Sequence, residues 1–316
     1  MYIEKKPCNM GNYCYEMKCF SSAREALRKL LQEYIRGGED TTILLPSYIG
    51  WSPNEGSGIY DPICELGLKH TFYSLAEGLV IDINNVKRLI KMINGRKMFL
   101  LVHYFGYVDP RYKELIYLLR QEGVFIIEDA AHALYTHFID GLCGLGDCII
   151  YSFHKMLPFS GGGAVCTKNI TESWWNRIIP EEKEYPFYKY ELGSIAAKRK
   201  ENALYWEKLF KSNKSVELLR RSEEYKNQTP QTFPVLLNHG DRYKVYQNMN
   251  NLGYGIISLY HTMIKPIADM KDAVIDRISN NILNFPVHQD IGIEDMRKMY
   301  DVFVEMISKY MESGVS

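Results

Sequence analysis

Through the first two-thirds of the chain, short apolar runs alternate with stretches whose apolar residues return every three or four positions. The runs at 41–46, 70–75, 97–105, 124–131, 147–154 and 163–167 are rich in Ile, Leu, Val and aromatics, and several lack polar alternation. That pattern marks strands buried on both faces. Between them, Ala23, Ala26, Leu27, Leu30, Leu31 and Tyr34 fall on one stripe of a helix over 22–34, and 83–93 and 109–123 follow the same rule. Strand and helix repeated in this way predict an α/β fold, with a mostly parallel sheet covered by helices.

The pattern changes after Lys168. Residues 170–190 are irregular, hold Trp174, Trp175 and several tyrosines, and read as a long surface excursion. One long helix is predicted over 192–210, with Leu192, Ile195, Ala196, Ala203, Trp206 and Phe210 inward. A smaller α+β unit follows: a strand at 233–237, a helix at 241–252 stopped by Gly253, a strand at 255–260 and a closing helix at 294–310. The polar stretch 212–230 suits a boundary, giving a large domain 1–212 that includes the connecting helix and a small domain 213–316.

Composition narrows the function. The 316 residues suit about two domains. Lys plus Arg and Asp plus Glu are both 38, so the charge cancels and a nucleic-acid polymer is not the expected partner. At 46% apolar content the chain can fill a core, which excludes a disordered binder. It has no run of about 18 apolar residues and no apolar segment at its start, so neither a membrane span nor a secretory signal is expected, and the cytoplasm is. The cysteine count is odd, at 7, with no CxxC pair. Cys8, Cys14 and Cys19, although close together, read as reduced thiols, and no metal site is expected.

Four features could carry chemistry. Ser22 and Glu25 have the spacing of a capping box, and the first turn of that helix has free N–H groups able to hold a phosphate. Ile126-Ile127-Glu128-Asp129-Ala130-Ala131-His132 ends an apolar strand in an acidic pair followed by small residues, at the strand end where open α/β sheets collect ligands. An Asp there can pair with a cationic ring nitrogen or cap the next helix. Ser152-Phe153-His154-Lys155 puts a lysine at the end of another buried strand, either to form a Schiff base or to snorkel from the rim. Gly161-Gly162-Gly163 allows a tight turn and close backbone approach. A phosphate site, an acid for a ring nitrogen and a Schiff-base lysine are together what pyridoxal phosphate needs.

On these residues the chain resembles the DegT-type aminotransferases, pyridoxal-phosphate enzymes of fold type I that mostly aminate nucleotide-linked keto sugars. Glu128–Ala133 reads like the family's E-D-A-A-[QH]-A segment, and Ser152-Phe153-His154-Lys155 with Gly161–Val165 like its lysine block. Val102-His103, Pro46-Ser47-Tyr48 and Asn284–His288 match it more loosely. The resemblance implies a Schiff base at Lys155, Asp129 on the pyridine nitrogen, and His132 near the ring oxygen. Ser152 and the backbone at Ala23, Arg24 and Glu25 would hold the phosphate. An aromatic after Pro46 would cover the ring, with Tyr48 and Trp51 as the candidates. It also implies a homodimer with shared active sites, and small-molecule substrates: glutamate or a similar donor and a nucleotide keto sugar.

The sequence departs from the family in its short S-x-x-K spacing, in the glycine replacing an acid after the lysine, and in Arg24 and Glu25 at the phosphate turn. It lacks a G-x-N-x-R segment, and residues 185–190 occupy that place. Two other readings therefore stay open: a transaminase or lyase for a small amino acid, and a degenerate homologue that binds without turnover. His70, His239 and His261 are expected at the surface or in packing, His288 in a structural role, and Arg220-Arg221 on a solvated face.

Overall fold

The computed structural model describes residues 16–312, apart from Gly37, Glu39, Glu182 and Glu184. Cys8, Cys14 and the N-terminal stretch lie outside the described residues. Twelve strands are assigned among them: β1 Glu16–Phe20, β2 Thr41–Pro46, β3 Lys69–Tyr73, β4 Leu75–Ala76, β5 Val80–Ile81, β6 Arg96–Val102, β7 Phe125–Asp129, β8 Cys148–Ser152, β9 Gly163–Thr167, β10 Val216–Leu218, β11 Thr232–Leu237 and β12 Ile282–Pro286. Seven form one sheet in the order β1-β9-β8-β7-β6-β2-β3. Strands β3, β2, β6, β7 and β8 run parallel, whereas β9 lies antiparallel between β8 and β1.

The apolar runs become strands because both sheet faces are covered. On β8, Cys148 and Ile150 face one apolar cluster while Ile149 and Tyr151 face the other. A strand with two dry faces has no polar alternation to show. The edge strand β1 carries no such signal, since its Glu16 is exposed and its Lys18 and Cys19 are only partly buried. Residues 70–75 also divide: β3 ends at Tyr73, and Leu75–Ala76 pairs instead with Val80–Ile81.

The helix Ala23–Ile35 starts where the sequence places it, but only half of the capping box forms. Ser22 Oγ accepts the Glu25 N–H at 3.1 Å, whereas the Glu25 carboxylate turns to Arg28 at 2.6 and 2.8 Å. Gly163 seats this helix on the sheet. A Cβ there would stand 2.2 Å from Ala23 N and 2.4 Å from the Ser22 carbonyl carbon, so only glycine allows the strand to pass under the first turn.

Three expectations need correction. The segment after Lys168 is not a surface excursion throughout. Trp174 and Trp175 are buried, Tyr34 packs on the Trp174 ring at 5.9 Å, and Lys18 lies over Trp175 at 4.4 Å. Arg220 is not solvated: it is 5% exposed, lies 3.5 Å from Glu224 and sits over the Tyr107 ring. No strand forms over 255–260, where a single bridge joins Ile257 to Asn284 and the chain then turns at Ser258–His261. Gly253 and Gly255 adopt positive φ at 84° and 62°, which breaks any extended run there.

The long helix Leu192–Phe210 leads to the antiparallel sheet β10-β11-β12. Trp206 packs on Phe285 at 4.9 Å and donates its Nε1–H to Pro286 O at 2.8 Å, and Phe210 packs on Phe285 and Phe303. Among the described residues, no helix is long and apolar enough to cross a membrane.

Candidate active site

Asp129 and Ser152 stand at the carboxyl ends of the neighbouring parallel strands β7 and β8, and Lys155 follows in the turn after β8. A cavity of about 550 Å³ opens above these ends. Its lining includes Ser22, Ala23 and Arg24 from the first turn of Ala23–Ile35, together with Asp129, Ala131, Ser152 and Lys155. The first N–H groups of a helix have no acceptor within it, so this turn faces the cavity with unfilled donors.

Electrostatics single out the same residues. Lys155 Nζ lies 3.2 Å from His132 Nε2, and the other ring nitrogen of His132 takes the Phe105 N–H at 3.4 Å. Burial and the neighbouring Lys155 hold His132 well below the usual histidine range, so the imidazole is neutral. Burial pushes the Asp129 carboxyl up, against the pull of Lys155 and of the Ala131 N–H donated at 2.8 Å. A cationic group at this carboxylate would relieve that cost. Glu128, by contrast, is fully used. Its carboxylate meets His103 Nε2 at 2.7 Å and accepts from the Tyr112 hydroxyl at 2.7 Å and from the N–H groups of Gly144 and Gly146 at 3.0 and 2.5 Å. These bonds hold its pKa down despite burial. Cys143 stands close to this pair, but the four hydrogen bonds leave the carboxylate as a structural clasp at the root of the Asp129 strand.

Not every expected residue reaches the cavity. The Glu25 N–H is consumed by Ser22 and its side chain by Arg28, so neither is offered to a phosphate. Tyr48 is fully buried and does not line the cavity. Its hydroxyl accepts the Tyr260 N–H at 2.8 Å and lies 3.1 Å from the carbonyls of Leu259 and Tyr260. Arg24 lines the wall with its guanidinium on the Glu55 carbonyl and 3.9 Å from Asp61. Trp51 lines it too, but Gly50, beside it, carries no side chain.

Several lining residues went unrecognised in the sequence. The stretch Ser258–Thr262 forms the far wall, including His261, which was expected at the surface or in packing. The missing signal was tertiary. Gly50 bridges Met263, Trp51 N–H donates to Thr262 O at 3.0 Å, and Ile264 N–H donates to Ile49 O at 3.0 Å. The one sequence hint is the bare Gly50 in the loop where an aromatic is expected.

The seven-stranded order with one antiparallel strand, a lysine after β8 and an acid ending β7 define a fold-type-I pyridoxal-phosphate enzyme fold. Solved structures agree. A DegT DnrJ EryC1 StrS aminotransferase from Brucella abortus superposes with a TM-score of 0.72 over 92% of this chain and 86% of its own, at 16% identity. The putative sugar aminotransferase Spr1654 from Streptococcus pneumoniae, in its PMP form, does so at 0.73 over 95% and 88%, at 15% identity. Residues 19–175 match the profile of the DegT/DnrJ/EryC1/StrS aminotransferase family. The spore coat polysaccharide biosynthesis protein SpsC of Bacillus subtilis (strain 168) is 26% identical over 46% of this chain. That match spans 43% of SpsC, under half of its length.

Proposed function

We propose that the chain is a pyridoxal-phosphate-dependent aminotransferase that moves an amino group from glutamate or a similar donor to a keto group of a nucleotide-activated sugar. The observation that carries this reading is Lys155 Nζ at 3.2 Å from a buried neutral His132, in a cavity shared with Asp129 and Ser152. The residues present fit the cofactor. The raised carboxyl of Asp129 suits a cationic ring nitrogen, small Ala131 leaves space for a flat ring, and Ser152 with the Ala23 and Arg24 N–H groups suits a phosphate.

When bound, the cofactor supplies an aldehyde that takes up the amino group and a cationic ring that draws electrons from the bond being broken. The chain's own residues do the rest. Lys155 would hold the cofactor's aldehyde carbon and, as a free amine, would carry the proton at the reacting carbon. His132 orients Lys155 and can hold a proton at its Nε2. Asp129 keeps the ring nitrogen charged. The cavity volume, about 550 Å³, lies within the range of small-molecule sites. SpsC, named for polysaccharide biosynthesis, and a structural neighbour described as a sugar aminotransferase support a sugar as acceptor. The same reading makes the protein a cytoplasmic homodimer. Cys64, Cys143, Cys148 and Cys166 are free thiols, which suits a reducing compartment.

The test is an absorbance spectrum of wild-type and Lys155→Ala protein, each incubated with pyridoxal phosphate, desalted and then treated with glutamate. Wild type should retain a visible band that converts to the pyridoxamine form, and the variant should lack the lysine-bound band. Wild type that retains no cofactor, or a variant that runs both half-reactions at the native rate, overturns the assignment. Screening nucleotide keto sugars against the pyridoxamine form then tests the acceptor.

A further inference from the structure

The cavity wall facing the lysine is made by a tyrosine from the C-terminal unit. The Tyr260 ring occupies the space that a side chain at Gly50 would fill: a Cβ built there meets its Cδ1 at 2.1 Å, its Cγ at 2.4 Å and its Cβ at 2.6 Å. The ring lies near parallel to the His132 imidazole, at 19° and 6.3 Å between centroids, and lines the cavity with Lys155 and Asp129. Burial pushes the Tyr260 hydroxyl up, while the charge of Lys155 pulls it down and that of Asp129 adds to the rise, so the phenol feels both of the groups that define the site.

The backbone holding this ring is fastened from both units. Tyr48 accepts the Tyr260 N–H, and residues 49–51 pair with 262–264. From the other side, Leu259 N–H donates to Asn284 Oδ1 at 2.9 Å, and Ser258 Oγ donates to Ile282 O at 2.8 Å. Asn284 is itself fully buried on β12. These five hydrogen bonds hold a cavity-facing ring in place, so its position is built in rather than adopted by chance.

We propose that Tyr260 is the aromatic that covers the cofactor ring, standing in for the side chain that Gly50 lacks. The proposal rests on the pyridoxal-phosphate reading. Its chemistry is that of a flat, electron-rich face laid against a flat cationic ring, a contact that favours offset stacking. It also makes the C-terminal unit part of the cofactor site, so that cofactor binding and the packing of the two units are linked through one side chain.

The test compares cofactor affinity and the visible circular dichroism of bound cofactor, neither of which needs turnover. Pyridoxal phosphate is titrated into cofactor-free wild type, Tyr260→Ala, Tyr260→Phe, Gly50→Phe and the double variant Gly50→Phe/Tyr260→Ala. Tyr260→Ala should bind on the order of 10-fold more weakly, with a reduced dichroic signal, for loss of a stacked ring and its packing. Tyr260→Phe should stay close to wild type, because the face is kept. Gly50→Phe alone should bind poorly, since its side chain collides with Tyr260, and the double variant should recover most of the affinity. Tyr260→Ala with wild-type affinity and dichroism overturns the proposal, as does a double variant no better than Tyr260→Ala. Wild type that binds no cofactor overturns the underlying function instead, so the two failures are distinct. Tyr260→Phe keeps the test decisive should the alanine variant fold poorly.

Discussion

On the lysine side of the cavity, Asp129, Ser152 and Lys155 stand at or just beyond the ends of two adjacent parallel strands, within 27 positions of one another. On the opposite side, Gly50 and Tyr260 lie more than 200 positions apart and meet only where 49–51 pairs with 262–264. The first wall is set by strand register, because residues at the ends of neighbouring parallel strands project into the same crevice. The second is set by pairing between two segments far apart in the chain. One practical consequence is that the first wall should tolerate changes around 258–264, whereas the second depends on both segments at once.

The sharpest way to break this contrast is Asp129→Asn. If the lysine wall carries the chemistry, the variant should still take up cofactor through Lys155 but transfer amino groups on the order of 10²–10³-fold more slowly, as for loss of one preorganised electrostatic contact. Steady-state kinetics with glutamate and a keto acceptor would decide it, and turnover within a few-fold of wild type would move the charge requirement elsewhere. Tyr48→Phe probes the other wall without touching the cavity. It removes the acceptor of the buried Tyr260 N–H and should cost about 1–3 kcal/mol of stability. A urea midpoint unchanged from wild type would show that the hydroxyl does not hold the loop.

The smallest effect concerns pH. The folded Asp129 carboxyl lies above its unfolded value because of burial, so between the two values the folded state binds more protons than the unfolded one. Its contribution therefore favours folding at low pH and is lost as pH rises through the folded value. Cofactor-free Asp129→Asn should lack this slope and be slightly more stable than wild type at neutral pH. Urea midpoints between pH 4 and 7 check it, and a steeper loss of stability on raising the pH in the variant than in wild type would contradict the assigned direction.

Much of the fold could be read from the chain because its cause is local. The runs at 41–46 and 163–167 lie on strands over those residues, and the helix over 192–210 also matches its observed bounds, since burial on two faces or along one stripe writes itself into composition. The edge strand β1 escaped notice for the converse reason: half-exposed Lys18 and Cys19 carry no such mark. Glu25 misled because a capping-box spacing cannot say whether the carboxylate will prefer Arg28 one turn on. Arg220 misled because a pair of arginines looks solvated until Glu224 and Tyr107 enclose one of them. The extended reading of 255–260 failed because the isoleucines there suggested a strand, while two positive-φ glycines and the turn at 258–261 took the chain into the cavity.

The chain alone points to candidate groups for chemistry and to the apolar runs that they follow. Lys155, Asp129 and Ser152 are candidates from residue type and from their places after apolar runs, because strand ends and side-chain chemistry are short-range properties, whereas His132 is a candidate only through the family resemblance. Only the tertiary structure decided which of these groups share a cavity, which hydroxyl serves the backbone rather than a ligand, and what fills the gap beside Gly50. Those outcomes depend on contacts between segments far apart in the chain, and no local preference of either segment encodes the distance at which they meet.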